Sequence, residues 1–302
     1  MWFRVVCVAV VATMMMPPAS AVAPGDNGRL AWVTGCCDQY ELWATEADLS
    51  TLRQLTHPRG FEFVRDASWS PTGRIVFSAR PFNSDVGDSN DLWTINGDGT
   101  LVIRVTATPG WESDPDWSPD GSRIAFMRKG DLFTIKATGY GRHRLTETQR
   151  FEWSPVWSPD GTTLAFLGDT RLGTDLFLLD VTTGSQTRLT RTRPDEFYPE
   201  WLPDGTGLVF TRAAKVERGI WTMDLASRTM VPLLDEPGID ENAPAVAPDG
   251  TRIAWVRVSP HPDPVLYQLS ELTVSDLDGG NAVVLDTCVL ECSFHDLDWE
   301  TV

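Results

Sequence analysis

Basic residues are scarce in this chain. Lys and Arg total 25 against 42 Asp and Glu, a formal charge of −17 at pH 7. A surface of that sign repels nucleic acid and anionic membranes on average, so neither is expected as a partner. Histidine is limited to four scattered residues, His57, His143, His261 and His295. Gly-x-Ser-x-Gly, His-Glu-x-x-His, a phosphate-binding glycine loop and a spaced Cys-His pair are all missing, so no catalytic residue is assigned. No stretch sustains a helical period, which excludes helical solenoids. Long apolar runs are missing too, apart from Val5 to Met16 behind Arg4. That run meets Pro17 and Pro18 before it reaches the roughly 20 residues a membrane span needs, and Ala19-Ser20-Ala21 closes it. Residues 1–21 therefore read as a cleaved export signal, with the product secreted or held in the periplasm or cell envelope and no membrane span after processing.

Cysteine is rare, and four of the five residues sit near the two ends of the expected mature chain: Cys36, Cys37, Cys288 and Cys292. Outside the cytoplasm this even count suggests disulfides, with three pairings open. A zinc site fits less well, because neither pair has Cys-x2-Cys spacing and no histidine pair accompanies them.

What is abundant is a repeat. Trp69-Ser-Pro-Thr-Gly73 returns as Trp117-Ser-Pro-Asp-Gly121, Trp157-Ser-Pro-Asp-Gly161, Trp201-Leu-Pro-Asp-Gly205 and Val246-Ala-Pro-Asp-Gly250. Gly28 in Gly25-Asp-Asn-Gly28 extends the series as a sixth turn, and the glycines are spaced by 45, 48, 40, 44 and 45 residues. Proline presets φ, aspartate bonds the backbone two residues on, and glycine takes the positive φ that closes a hairpin, so the aspartates read as turn chemistry. A short apolar run follows each glycine, as in Ile75-Val76-Phe77 and Ile124-Ala125-Phe126, and reads as a strand buried on both faces. A third strand and a fourth ending in Leu-Thr or similar complete each unit, for instance at Gln54-Leu55-Thr56 and Arg188-Leu189-Thr190. Four strands per unit of this length make the blade of a propeller.

The first unit lacks its tryptophan strand, and the C-terminus supplies an orphan one, His295-Asp-Leu-Asp-Trp299. The expected fold is an all-β, six-bladed propeller over residues 24–302, closed when the last strand completes the first blade and hides its edges. The same register brings Cys36 or Cys37 toward Cys288 or Cys292. Such a clasp would be worth on the order of 5 kcal/mol in the loop-entropy picture.

The Trp-Ser-Pro-Asp-Gly turn, the Arg-Ile-Ala-Phe that follows it and the closing Leu-Thr resemble the repeat of TolB-type propellers and of the propellers in prolyl-oligopeptidase-type enzymes. The resemblance covers essentially all of residues 24–302. Those families carry their defining activities on other parts, an N-terminal α/β domain or a hydrolase domain. It therefore implies the propeller part alone, and a protein-binding or ligand-binding role.

Candidate binding residues come from the approach to each tryptophan. Glu112, Glu152, Glu196 and Glu241 stand five residues before it, with Val64 and Phe294 in the other two blades. On an innermost strand they would gather at one mouth of the channel. Asp66, Asp114 and Asp296 stand three before it and, by unbroken strand alternation, face the same way. Such an acidic entrance suits a basic peptide or a Ca²⁺ ion, though no cofactor is required; the dull alternative pairs each glutamate with a neighbouring arginine. Trp111 and Trp153, beside the glutamates, are candidate contact surface. The expectation is an exported, monomeric propeller that binds a protein, peptide or cation in the cell envelope. A metal-dependent polysaccharide lyase or lactone hydrolase is the alternative.

Overall fold

A computed structural model of the chain describes residues 27–36, 39–57, 60–81, 90–213, 217–260, 268–289 and 292–301. The leader expected over residues 1–21, and Cys37, lie outside them. The described residues form six antiparallel sheets of four strands each, with no helix among them. Blade 1 runs outward from Cys292–Thr301 through Asn27–Cys36 and Gln39–Thr45 to Leu52–Gln54. Blades 2 to 6 each start from an inner strand, Phe61–Trp69, Glu112–Trp117, Glu152–Trp157, Asp195–Trp201 and Asp240–Val246, and step outward in chain order.

Closure follows the expected route. Trp299 pairs with Leu30 in the position where Trp69, Trp117, Trp157 and Trp201 meet Ile75, Ile124, Leu164 and Leu208. A bidentate Arg29–Glu300 pair, with donor–acceptor distances of 2.8 and 2.7 Å, locks the two chain ends together. Burial works against the Glu300 charge, but the guanidinium outweighs it and holds the carboxyl below its ordinary range. Arg29 in turn lies 4.5 Å over the Trp69 ring, which ties the seam to blade 2.

The core sits between blades rather than within them, because each sheet is apolar on both faces. Val76 and Leu92 of blade 2 pack with Trp117, Ile124 and Phe126 of blade 3. Leu30, Trp32 and Trp299 of blade 1 pack with Ala254, Val256 and Leu272 of blade 6. Apolar clusters of this kind fill all six contacts around the ring.

Two local features differ from the expectation. Gly28 is not a hairpin glycine: it lies inside Asn27–Cys36, where a Cβ would stand 2.1 Å from the Glu300 carbonyl. With no hairpin to close there, the glycine serves close strand approach, whereas Gly73, Gly121, Gly161, Gly205 and Gly250 do take positive φ. The Leu-Thr pairs lie just past the fourth strands rather than within them. Each threonine hydroxyl accepts the N–H of the first leucine of the third strand, Thr56 from Leu42, Thr106 from Leu92, Thr146 from Leu132 and Thr190 from Leu176, all at 2.9 Å. The Leu-Thr signature is thus a clamp that satisfies a buried donor where the outer strand has ended.

Candidate functional site

The inner strands do not alternate evenly. The residue three before the tryptophan position has positive φ in every blade: Asp66, Asp114, Ser154, Tyr198, Ala243 and Asp296, all between 46° and 56°. Pairing with the second strand slips at the same point, between Ser113 and Asp116 in blade 3 and between Trp153 and Val156 in blade 4. Proline follows the kinked residue in four blades, as Pro115, Pro155, Pro199 and Pro244, and cannot donate to the ladder. The bulge reverses the facing of everything before it.

The glutamates five before the tryptophan therefore turn into the blade. Glu112, Glu152 and Glu196 are 0% exposed and Glu241 is 2% exposed. Glu112 meets Arg128, its cross-strand neighbour, at 3.1 Å and Arg142 at 3.6 Å. Glu196 meets its own cross-strand neighbour Arg212 at 3.7 Å and accepts from the Thr190 and Thr192 hydroxyls. In blade 4 the cross-strand position is Gly168, and Arg150 reaches Glu152 from the preceding loop at 3.1 Å. Glu241 accepts the Glu236 N–H at 3.2 Å. Burial pushes both Glu196 and Glu241 up to about 7. The expected ring of these four glutamates at a channel mouth is thus corrected: they belong to the blade interior. Trp153 lies against the apolar cluster between blades 4 and 5, while Trp111 is 45% exposed.

The channel itself holds a cavity of about 100 Å³ lined by two tiers of residues from the inner strands. Asp66, Asp114 and Asp296 belong to the kinked tier, with Ser154 and Tyr198 beside them. The tier directly before the tryptophan adds Asp116, Glu200 and Asp298, with Ser68 and Val156. Among the described residues, six carboxylates line this cavity and no Lys, Arg or His does.

Backbone N–H groups of the next blade offset part of that charge. Asp296 accepts from Asp66 N–H at 2.9 Å and Asp66 from Asp114 N–H at 3.0 Å. Asp116 accepts from Trp157 N–H at 2.7 Å, and Ser68 receives Trp117 N–H at 3.2 Å. The Ser154 hydroxyl donates to Asp114 at 3.0 Å. Glu200 faces Asp298 and Asp116 with only the Trp201 N–H to stabilise its charge.

Desolvation dominates the electrostatics. It pushes Asp116 up to about 6 and, with the neighbouring Asp66 charge adding to it, Asp114 to about 7 and Asp296 to about 8. Glu200 and Asp298 rise well above the carboxylate range for the same reason, each also feeling the other tier members. Burial lifts the Tyr198 phenol to about 12, with Asp296 contributing. A cation entering the cavity would reverse these shifts.

Among the described residues no three His, Cys, Asp or Glu side chains converge as a metal-holding group, and no helix is long and apolar enough to cross a membrane. Cys36 and Cys292 are backbone partners across the seam; their side chains, like that of His295, lie outside the described residues. Cys288 is buried.

Sequence reasoning missed Asp116, Glu200 and Asp298. The prolines two before the tryptophan were the available signal, since proline within an inner strand implies a bulge.

Six four-stranded blades closed by their last strand define a β-propeller with an acidic channel. More narrowly, residues 131–270 match the TolB beta propeller domain. TolB from Acinetobacter baumannii superimposes with a TM-score of 0.70 at 18% identity, over 91% of this chain and 67% of that one. An oligogalacturonate lyase in complex with manganese gives 0.55 at 14% identity, over 87% and 75% of the two chains. An uncharacterised protein of Agrobacterium fabrum is 28% identical over 102 residues, a match spanning 33% of this chain and only 33% of that protein. The structural likenesses, at these identities, are likenesses of fold.

Proposed function

We propose that this chain is an exported binding propeller of the cell envelope, whose channel receives a cationic group presented by a protein or peptide partner. The observation that carries the reading is the set of six carboxylates facing one cavity with no Lys, Arg or His among its described lining residues. Burial and mutual repulsion raise these groups, so a cation that docks among them gains from every carboxylate it lets ionise. A cavity of about 100 Å³ admits a single ammonium or guanidinium head with a few waters and is too small for a peptide backbone. The partner would therefore insert a Lys or Arg side chain while its remaining surface rests on the loops around the mouth. A disulfide clasp across the seam, joining Cys36 or Cys37 to Cys288 or Cys292, fits an exported protein of this kind. The lyase or lactone-hydrolase alternative rests on shared shape alone.

Calorimetric titration tests the reading with hexalysine, hexaglutamate and Ca²⁺ as probes. Hexalysine is expected to bind and hexaglutamate not, with the Asp114→Asn, Asp296→Asn double variant weakening hexalysine at least tenfold. Equal affinity for hexalysine in the parent and the double variant would contradict it. Tighter binding of Ca²⁺ than of hexalysine would redirect the reading from a partner side chain to a metal ion.

A further inference from the structure

The scarce positive charge is unevenly placed. Residues 128–193 carry ten Lys and Arg against seven Asp and Glu, which leaves 15 against 35 for the rest of the chain. Within this span, blade 4 presents an open cleft of about 750 Å³ on its outer part, separate from the channel. Arg150, Arg171 and Arg188 line it together with Phe151, Phe177 and Gln186.

Two of the arginines are held in place before any ligand arrives. The Arg150 guanidinium lies 4.6 Å over the Phe177 ring, donates to Gln186 and meets the buried Glu152. Arg188 donates through Nε to the Thr190 carbonyl at 2.9 Å and pairs with Asp175, which is itself 0% exposed. Both acidic partners lie beneath, while the two arginines remain 35% and 27% exposed, so each guanidinium turns an edge to the cleft. Arg171 rises from the turn between Thr163–Thr170 and Gly173–Asp180, exposed and without a partner among the described residues. Arg191 and Arg193 share those traits on the next loop, whose Asp195 fixes that turn by accepting the Thr174 N–H at 2.7 Å. Phe151 is 48% exposed and packs on the Gly130 turn of blade 3, where it offers an apolar ring face at the cleft edge. Asp169 is the one carboxylate among the lining residues.

We propose that this cleft is an anion-binding site that takes a small ligand bearing a carboxylate or phosphate on a ring-shaped body. The preset guanidinium edges match the planar fork of a carboxylate or the oxygens of a phosphate, and Arg171 closes over the bound group. The ring body rests on Phe151. The site is chemically opposite to the channel and independent of it, so a propeller of net negative charge carries receptors for both signs.

Titration calorimetry at low salt with glucuronate, glucose 6-phosphate and uncharged glucose tests this. Glucuronate, glucose 6-phosphate or both are expected to bind and glucose not, and whichever charged probe binds more tightly identifies the anion. Arg171→Glu, at a residue with no partner to lose, is expected to weaken binding at least tenfold with an unchanged circular dichroism spectrum. Lys136→Glu, the same charge change at the exposed end of the strand Asp131–Lys136 and outside the cleft, should stay within twofold, and so should Asp114→Asn in the channel. Failure of both charged probes to bind, equal binding of glucose, or equal losses from Arg171→Glu and Lys136→Glu would overturn the proposal.

Discussion

Two sets of carboxylates on the same inner strands meet opposite fates. Glu112, Glu152 and Glu196, five residues before the tryptophan, are wholly buried in their own blades, each beside an arginine. Asp66, Asp114 and Asp296, two residues further on, face the channel, where they meet backbone N–H groups of the next blade and one another. Chain distance does not separate them; one left-handed residue does. The first set is buried within the blades beside arginines, and the second is the acidic lining of the channel. The lesson is that in a bulged strand residue type alone does not say which carboxylate faces the channel.

The largest test of this contrast is the dependence of stability on pH. The channel acids have folded-state values of about 6 for Asp116, 7 for Asp114 and 8 for Asp296, all above the unfolded value near 3.9. The folded state therefore binds more protons than the unfolded state between pH 4 and 8. The stability these groups contribute is complete below about pH 4 and is lost as pH rises through the folded values. Each is expected to cost on the order of 1–4 kcal/mol between pH 5 and 8, least for Asp116 and most for Asp296. Thermal unfolding should accordingly show a falling midpoint over that range, flattened in the Asp114→Asn, Asp116→Asn, Asp296→Asn variant. A midpoint that climbs from pH 5 to 8 would break the comparison.

The buried set should respond to loss of its cation instead. Arg128→Ala leaves Glu112 inside blade 3 with Arg142 as its remaining positive neighbour, and denaturant unfolding is expected to register a loss of about 2–3 kcal/mol. Asp114→Asn at pH 8 should be neutral or mildly stabilising by the same measurement. Comparable losses from both substitutions would erase the distinction.

Smaller effects come from the backbone devices that set the geometry. Thr190→Val removes the acceptor for the buried Leu176 N–H and should cost about 1–2 kcal/mol. Ala243→Gly, at a φ of 48° where an L-residue is strained, should gain up to about 1 kcal/mol. A loss there would mean that the kink is held by something other than the fold's demand for a bulge.

The ring was legible because its determinants are local and repeated. Tryptophan, proline, aspartate and glycine at fixed offsets specify hairpins, and the orphan Trp299 specified the closing partner, which the structure pairs with Leu30. The channel was legible only in part, because facing depends on a backbone kink whose own residue ranges from Asp66 through Tyr198 to Ala243. Unbroken alternation placed the glutamates with the kinked aspartates; the bulge separates them and brings in Asp116, Glu200 and Asp298. The arginines opposite Glu112 and Glu196, Arg128 and Arg212, were visible in the sequence, but pairing them needed the cross-strand register.

Carbon-detected NMR titration of the aspartate carboxyls addresses the acidic channel most directly. Midpoints near 7 for Asp114 and near 8 for Asp296 are expected, both moving lower when hexalysine is present. Ordinary midpoints near 4 that do not respond to the peptide would contradict a strained acidic cavity awaiting a cation.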